Sequence, residues 1–253
     1  MGGRYTRTFY NVHKDASEKS AEIVVPVLLS LFPARSVVDI GCGTGAWLTV
    51  FERQGVTEYL GYDGDYVPVD MLRIPRDRFR AADLQQISDL GRRFDIACSL
   101  EVAEHLPEAS AERFVELLVK AAPVVLFSAA VPNQGGDRHV NERWQSYWCQ
   151  LFSHHGYVAI DCIRPAIFGN PRVSWWYRQN VLVYCDLDHQ PENAAAVTNP
   201  FYLDRIDPGM VEAAANPDGL RAAVNALGRD AAAVARALPR LKQFALGRRE
   251  RPE

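Results

Sequence analysis

Four side chains near the middle of this chain have the types and spacing to do chemistry: Glu101, Glu104 and His105 in the run 100–107 (LEVAEHLP), and His139 at the end of the run 128–139 (SAAVPNQGGDRH). If the first run is helical, the three residues stand at i, i+3 and i+4 and share one face. A histidine arriving from the later loop over the same opening completes a set of two carboxylates and two imidazoles, which suits a divalent metal. The set does not name its ion among Mg, Mn, Zn or Fe, because carboxylates favour the first two and imidazoles the others. A cation there would acidify a hydroxyl and fix its approach, which an alcohol at neutral pH requires. Two other readings use the same residues. In one, His139 or His105 is a metal-free general base; in the other, all four are structural.

The elements that must position these groups begin at Val37–Ala46 (VVDIGCGTGA), which reads as a buried strand, a glycine turn and a helix start. Gly41 and Gly43 allow a tight turn and a close approach of backbone to a ligand. Taken literally, Gly41-x-Gly43-x-x-Ala46 satisfies the dinucleotide fingerprint, so NAD is one candidate cofactor. The wider form, with Asp39 two residues before Gly41 and Gly45 closing G-x-G-x-G, resembles motif I of the class I S-adenosylmethionine (SAM)-dependent methyltransferases. Glu58–Asp63 looks like the second strand, ending in an acid where a ribose diol would lie, a placement that also suits NAD. The segment 80–84 (RAADL) resembles the family segment whose acid contacts the adenine amino group, and 94–100 (FDIACSL) looks like the fourth strand.

Four such elements in order are more specific than one glycine loop, and the resemblance extends from residue 20 to residue 186. It implies SAM held by Asp39, Gly41, Gly43, Asp63, Asp83, Leu84 and Leu100. The E-x-x-E-H run followed by a later histidine also resembles the metal-dependent O-methyltransferases, including the small-RNA 2′-O-methyltransferases; the quinone-biosynthesis O-methyltransferases share its first part. That resemblance implies Glu101, Glu104, His105 and His139 as metal ligands. The same run is widespread among class I methyltransferases that use no metal, so the alternatives stand.

With 253 residues and a net charge of −3, the chain has the size of one domain with an appendage and no electrostatic footprint for nucleic acid. No apolar run approaches a membrane span, the N-terminus lacks a signal-peptide core, and the five cysteines form no C-x-x-C pair. A cytoplasmic protein is expected. The expected fold is α/β: a doubly wound, Rossmann-like seven-stranded sheet over residues 1–190, then a loop and an Ala-rich helical tail over 191–253. Within the first part, Ala16–Phe32 reads as a helix that Pro26 bends or starts, preceded by Tyr5, Phe9 and Tyr10 as a flap or a loose leader. Phe114, Leu117, Leu118 and Val119 mark the apolar face of a later helix. Glu142–His155 reads as a helix capped by Asn141, and Tyr157–Ile163 and Asn180–Cys185 as an antiparallel edge pair. Met210–Leu246 suggests two helices, a packing surface or the interface of a homodimer.

The acceptor has to be argued from aromatic residues. Trp144, Tyr147 and Trp148 line a pocket or, at helical spacing, fill a core. The run 174–180 (SWWYRQN), taken as extended, must leave at least one ring exposed, because alternate side chains point oppositely. Arg178 beside it binds a phosphate or carboxylate, or is merely solvated. The stretches 131–148 and 171–180 look like bacterial methyltransferases of glycan and small-molecule biosynthesis, which implies a small-molecule or sugar acceptor. Two rivals remain at this stage: an NAD-dependent oxidoreductase, for which no hydride-transfer pair is evident, and a silent scaffold acting through its tail.

Overall fold

The computed structural model describes residues 7–215, with side chains placed from Ala16 to Ala214. The strands are β1 (Ser36–Ile40), β2 (Glu58–Asp63), β3 (Phe79–Ala81), β4 (Ile96–Leu100), β5 (Val124–Ser128), β6 (Tyr157–Ile160) and β7 (Leu182–Asp186). They form one sheet in the order β3-β2-β1-β4-β5-β7-β6. All pairings from β3 across to β5 are parallel. β7 slots in antiparallel between β5 and β6, as expected of the edge pair. The helices are α1 (Arg7–Leu31), α2 (Ala46–Arg53), α3 (Ala111–Ala121), α4 (Gln145–His154), α5 (Arg164–Ile167), α6 (Trp175–Asn180) and α7 (Pro208–Ala215).

The central strands are continuous apolar runs because helices cover both faces of the sheet. Alternation then deals successive side chains to two cores. Val37, Cys98 and Leu126 join the core under α1 and α2, with Leu28 and Phe51. Val38, Ala97 and Phe127 join the one under α3 and α4, with Phe114, Leu118 and Trp148.

Several expected boundaries shift. α1 starts at Arg7, so Phe9 and Tyr10 belong to the helix, and it continues through Pro26; Tyr5 lies outside the described residues. α4 begins at Gln145 rather than Glu142, and its cap position is Trp144 in an extended conformation. Asn141 does not cap it: its Oδ1 accepts from Arg143 Nε at 2.9 Å. Trp148 is core, whereas Trp144 is 38% exposed. The run 174–180 is the helix α6, not a strand, and β7 starts only at Leu182. Beyond α7 the expected tail helices, and the homodimer contact assigned to them, lie outside the described residues. Among the described residues no helix is long and apolar enough to cross a membrane.

Candidate active site

The ends of β1, β2, β4 and β5 open on one side of the sheet, where a doubly wound fold binds its ligand. Between β1 and α2 the chain turns through Gly41, Gly43 and Gly45, at φ 89°, 53° and 88°. A Cβ on Gly41 would stand 2.3 Å from Val102 Cγ2, so this position excludes any side chain. The turn is tied to the end of β2. Gly43 N–H donates to Asp63 Oδ2 at 2.7 Å, while Asp63 Oδ1 accepts from Gly64 N–H at 2.6 Å and the Tyr66 hydroxyl at 2.7 Å. Burial pushes the Asp63 carboxyl up, against the pull of those three donors. Asp39 is buried more completely, and desolvation, helped by the Asp63 charge, pushes it up to about 8.

Two adjoining cavities flank this turn. The first, about 780 Å³, takes in Asp63, Asp83, Leu84 and Val102. The second, about 480 Å³, takes in Asp39, Leu100, Glu104 and His139. Gly41, Gly43, Glu101 and His105 border both. Every residue expected at the cofactor therefore borders one cavity or the other. Asp83 is the outermost: it is exposed, and its Oδ1 accepts from Gln85 N–H at 2.9 Å.

The stretch after β4 is not the helix that its spacing suggested. Glu101 sits in the left-handed region at φ 57°, and only a single 3-10 turn, Ala103–His105, follows. The kink gives the two glutamates different surroundings. Glu101 is held by amides: Oε1 accepts from Asn180 Nδ2 at 3.1 Å and Oε2 from Gln134 Nε2 at 2.8 Å. Glu104 is fully buried, and neither carboxylate oxygen has a hydrogen-bond partner among the described residues. Burial, then the charge of Glu101, drives its carboxyl well above the usual range.

His139 completes the cluster from the β5–α4 loop. Its Nε2 lies 3.9 Å from Glu104 Oε1, and its ring stands edge-on to His105 with centroids 4.8 Å apart. One donor atom each from Glu104, His105 and His139 falls within 4.8 Å of the others. Glu101, expected as a fourth ligand, is not in that group. Burial, and then the nearness of His139, lowers His105 to about 4, so its imidazole is neutral.

The other nitrogen of His139 meets a residue that sequence reasoning assigned to a helix start. Nδ1 is 2.9 Å from Glu142 Oε1. The Glu142 carboxylate also accepts from the N–H groups of Asn133 and Gly135, so it gathers both arms of the loop. Burial works against the Glu142 charge, but the bonds from His139 and the two amides outweigh it and lower the pKa. The amides Gln134, Gln179 and Asn180 were missed as well; Gln134 Oε1 accepts from both of the other two, at 3.1 and 2.8 Å. Nothing in their local pattern marks them, since they meet only through the fold.

A parallel Rossmann-like sheet with a seventh strand inserted antiparallel, opening on a glycine turn and an acid at the end of β2, defines a class I SAM-dependent methyltransferase. The chain belongs to the family whose model is described as "Methyltransferase domain", which matches residues 12–161. The cofactor of this family is SAM rather than a dinucleotide, and the two cavities that border Gly41 and Gly43 leave room for it.

Among curated proteins the chain is similar to the ubiquinone biosynthesis O-methyltransferase of Bartonella bacilliformis, 28% identical over 107 residues, which is 40% of each chain. The protein of the same name from Bartonella tribocorum is 29% identical over 91 residues, 34% of this chain and 36% of that one. The match thus spans about two fifths or less of the length of these relatives. Among solved structures, the sugar N-methyltransferase KedS8 from Streptoalloteichus aligns with a TM-score of 0.53 at 17% identity, covering 74% of this chain and 94% of that one. An O-methyltransferase family protein from Burkholderia thailandensis aligns at 0.51 with 14% identity, covering 70% and 58%. Such identities show the shared fold alone.

Proposed function

We propose that this methyltransferase alkylates a hydroxyl of a small molecule or sugar, with a divalent cation held by Glu104, His105 and His139. The observation that carries the proposal is Glu104, a fully buried carboxylate with both oxygens unpartnered beside two imidazoles. A buried acid without a partner is costly whether charged or protonated, and such groups are normally paired or coordinate a metal. SAM supplies an electrophilic methyl on a sulfonium. A cation at the cluster would supply Lewis acidity toward the acceptor hydroxyl. The ion fitting one carboxylate and two imidazoles is left among Mg, Mn, Zn and Fe.

The chain's own residues would divide the work as follows. Asp63 accepts from the ribose hydroxyls and Asp83 from the adenine amino group. Gly41 and Gly43 present bare backbone, while Asp39, Leu84 and Leu100 line the bed. Glu142, bonded to Nδ1, holds His139 with Nε2 turned toward the second cavity, as outer carboxylates do for metal-bound histidines. Glu101, fixed by Asn180 and Gln134, adds negative charge next to Glu104. The similarity to ubiquinone biosynthesis O-methyltransferases supports a hydroxyl acceptor. We also place the protein in the cytoplasm, with neither nucleic acid nor membrane as partner.

One observation favours a second reading. The 2.9 Å contact of His139 with Glu142 is also how a carboxylate orients a general base, so His139 would take the acceptor proton with no metal.

Calorimetric titration with SAM and with NAD, before and after chelation, tests both readings when joined to metal analysis. SAM binding with near-stoichiometric metal that is lost in Glu104→Ala establishes the first. SAM binding with no metal, even after ions are restored, hands the role to the histidine base. Binding of NAD without SAM overturns both.

A further inference from the structure

The second cavity has two unlike walls. On one side stand Glu101, Glu104 and the two histidines, with Asp39 behind them and Asp137 at the loop. On the other, Trp47, Tyr177, Trp176 and Trp175 run in successive ring contact, with centroids 5.2, 5.9 and 5.6 Å apart. Trp175 and Trp176 are only partly buried, and both line the cavity. Neither Lys nor Arg is among the described residues lining this cavity.

The arginine best placed to change that is turned away. Arg178 lies on α6 next to the aromatic wall, where a guanidinium would recognise a phosphate or carboxylate. Instead it forks onto Asp207 at 2.8 and 2.9 Å and donates to the carbonyls of Asn170 and Val173 at 3.2 and 2.6 Å. Four of its donor contacts are therefore spent inside the protein. Arg138 lines the first cavity, on the cofactor side.

From this lining we infer that the acceptor is a ring bearing hydroxyl or amino groups and no anionic substituent, stacked on one of Trp175 and Trp176 and flanked by the other, which stands at 83° to it, with its polar edge toward Glu104 and His139. The inference rests on the methyltransferase reading above and narrows its acceptor. Indole faces stack on planar rings and on the apolar face of a pyranose, and their negative quadrupole tolerates an amine. A carboxylate or phosphate would meet the same face unfavourably and would lie beside Glu101 and Asp137, with no guanidinium fork among the described lining residues to receive it. A cation at the cluster would be held by Glu104, His105 and His139, with the hydroxyl edge of the ring toward it.

Matched acceptor pairs test the inference. Methyl glucoside against glucose 6-phosphate, glucosamine against glucosamine 6-phosphate, and catechol against 3,4-dihydroxybenzoate each differ by one anionic group. Binding to the SAM-product complex is read by saturation-transfer NMR, and turnover by release of S-adenosylhomocysteine. The uncharged or amino member should bind and turn over at least tenfold better than its anionic counterpart, sugars or catechol leading according to the true source. Trp175→Ala should raise KM for that member about tenfold, in line with the loss of one aromatic contact, and Trp175→Phe should restore most of it. Equal or better binding of the anionic members, or no binding by any ring, overturns the inference. Failure of the methyltransferase reading looks different: SAM itself would then not bind.

Discussion

Glu142 and His139 form a carboxylate–imidazole pair at 2.9 Å, with the opposite edge of the imidazole 3.9 Å from Glu104. One histidine thus links an outer carboxylate to an inner one. Glu142→Gln should leave SAM affinity unchanged and weaken Mn²⁺ binding by roughly 10- to 100-fold, the usual cost of removing an outer partner of a ligating histidine. Calorimetry with each ligand in turn measures the two effects separately, and a parallel loss of SAM binding would mean that Glu142 is a general scaffold.

Glu104 holds a position that is poor for stability. In metal-free protein its carboxylate is buried without a hydrogen-bond partner. Glu104→Met, which keeps the length and removes both unpartnered oxygens, should therefore raise the unfolding free energy by about 1–3 kcal/mol while abolishing metal binding. Urea unfolding in chelator tests the prediction. A destabilised variant would indicate a structural partner for that carboxylate.

Asp39 should leave a trace in the pH dependence of stability. Its carboxyl is raised to about 8 by burial and by Asp63, so the folded protein keeps a proton that the unfolded chain has lost. Folding is then favoured at low pH. Stability falls as pH rises from about 4 to about 8, and levels off above, by an amount on the order of a few kcal/mol. Asp39→Asn should flatten that slope and stabilise the protein at pH 8, at a cost in SAM affinity. Urea midpoints at pH 5 to 8 would sink the assignment if wild type and variant ran parallel.

Gly41→Ala should destabilise the protein by about 1–3 kcal/mol, because it adds a Cβ at positive φ and drives it into Val102. Val102→Ala in the same chain should recover the steric part but not the backbone strain. A double-mutant cycle on unfolding free energy would show that coupling, and strict additivity would refute it.

The parts of the molecule written in short stretches were legible. The Val37–Ala46 run carries strand, turn and helix start in consecutive residues, and the sheet follows from repeating it. Glu101 shows where local reading fails. Spacing put it on a helix with Glu104 and His105, but the left-handed kink at the end of β4 sends it toward Asn180 and Gln134. Those amides come from segments 79 and 33 residues away, so no local pattern could have named them. The aromatic run 174–180 was misread for a related reason. Its side chains suit a strand, but α6 forms where Arg178 reaches Asp207 across the fold. His139 was placed correctly over the opening, while Glu142 was hidden because Glu before an apolar helix is usually a capping residue.

The two cavities share four residues, yet most of their walls come from different stretches of chain. The first cavity is built by residues 41–106 with Arg138, and the aromatic side of the second chiefly by 175–177. Substitutions at Trp175 and Trp176 would therefore alter the second cavity without changing any residue that lines the first. On the acceptor reading proposed above, the two halves are open to separate engineering: the ring that is taken up could be exchanged while the donor bed stays as it is.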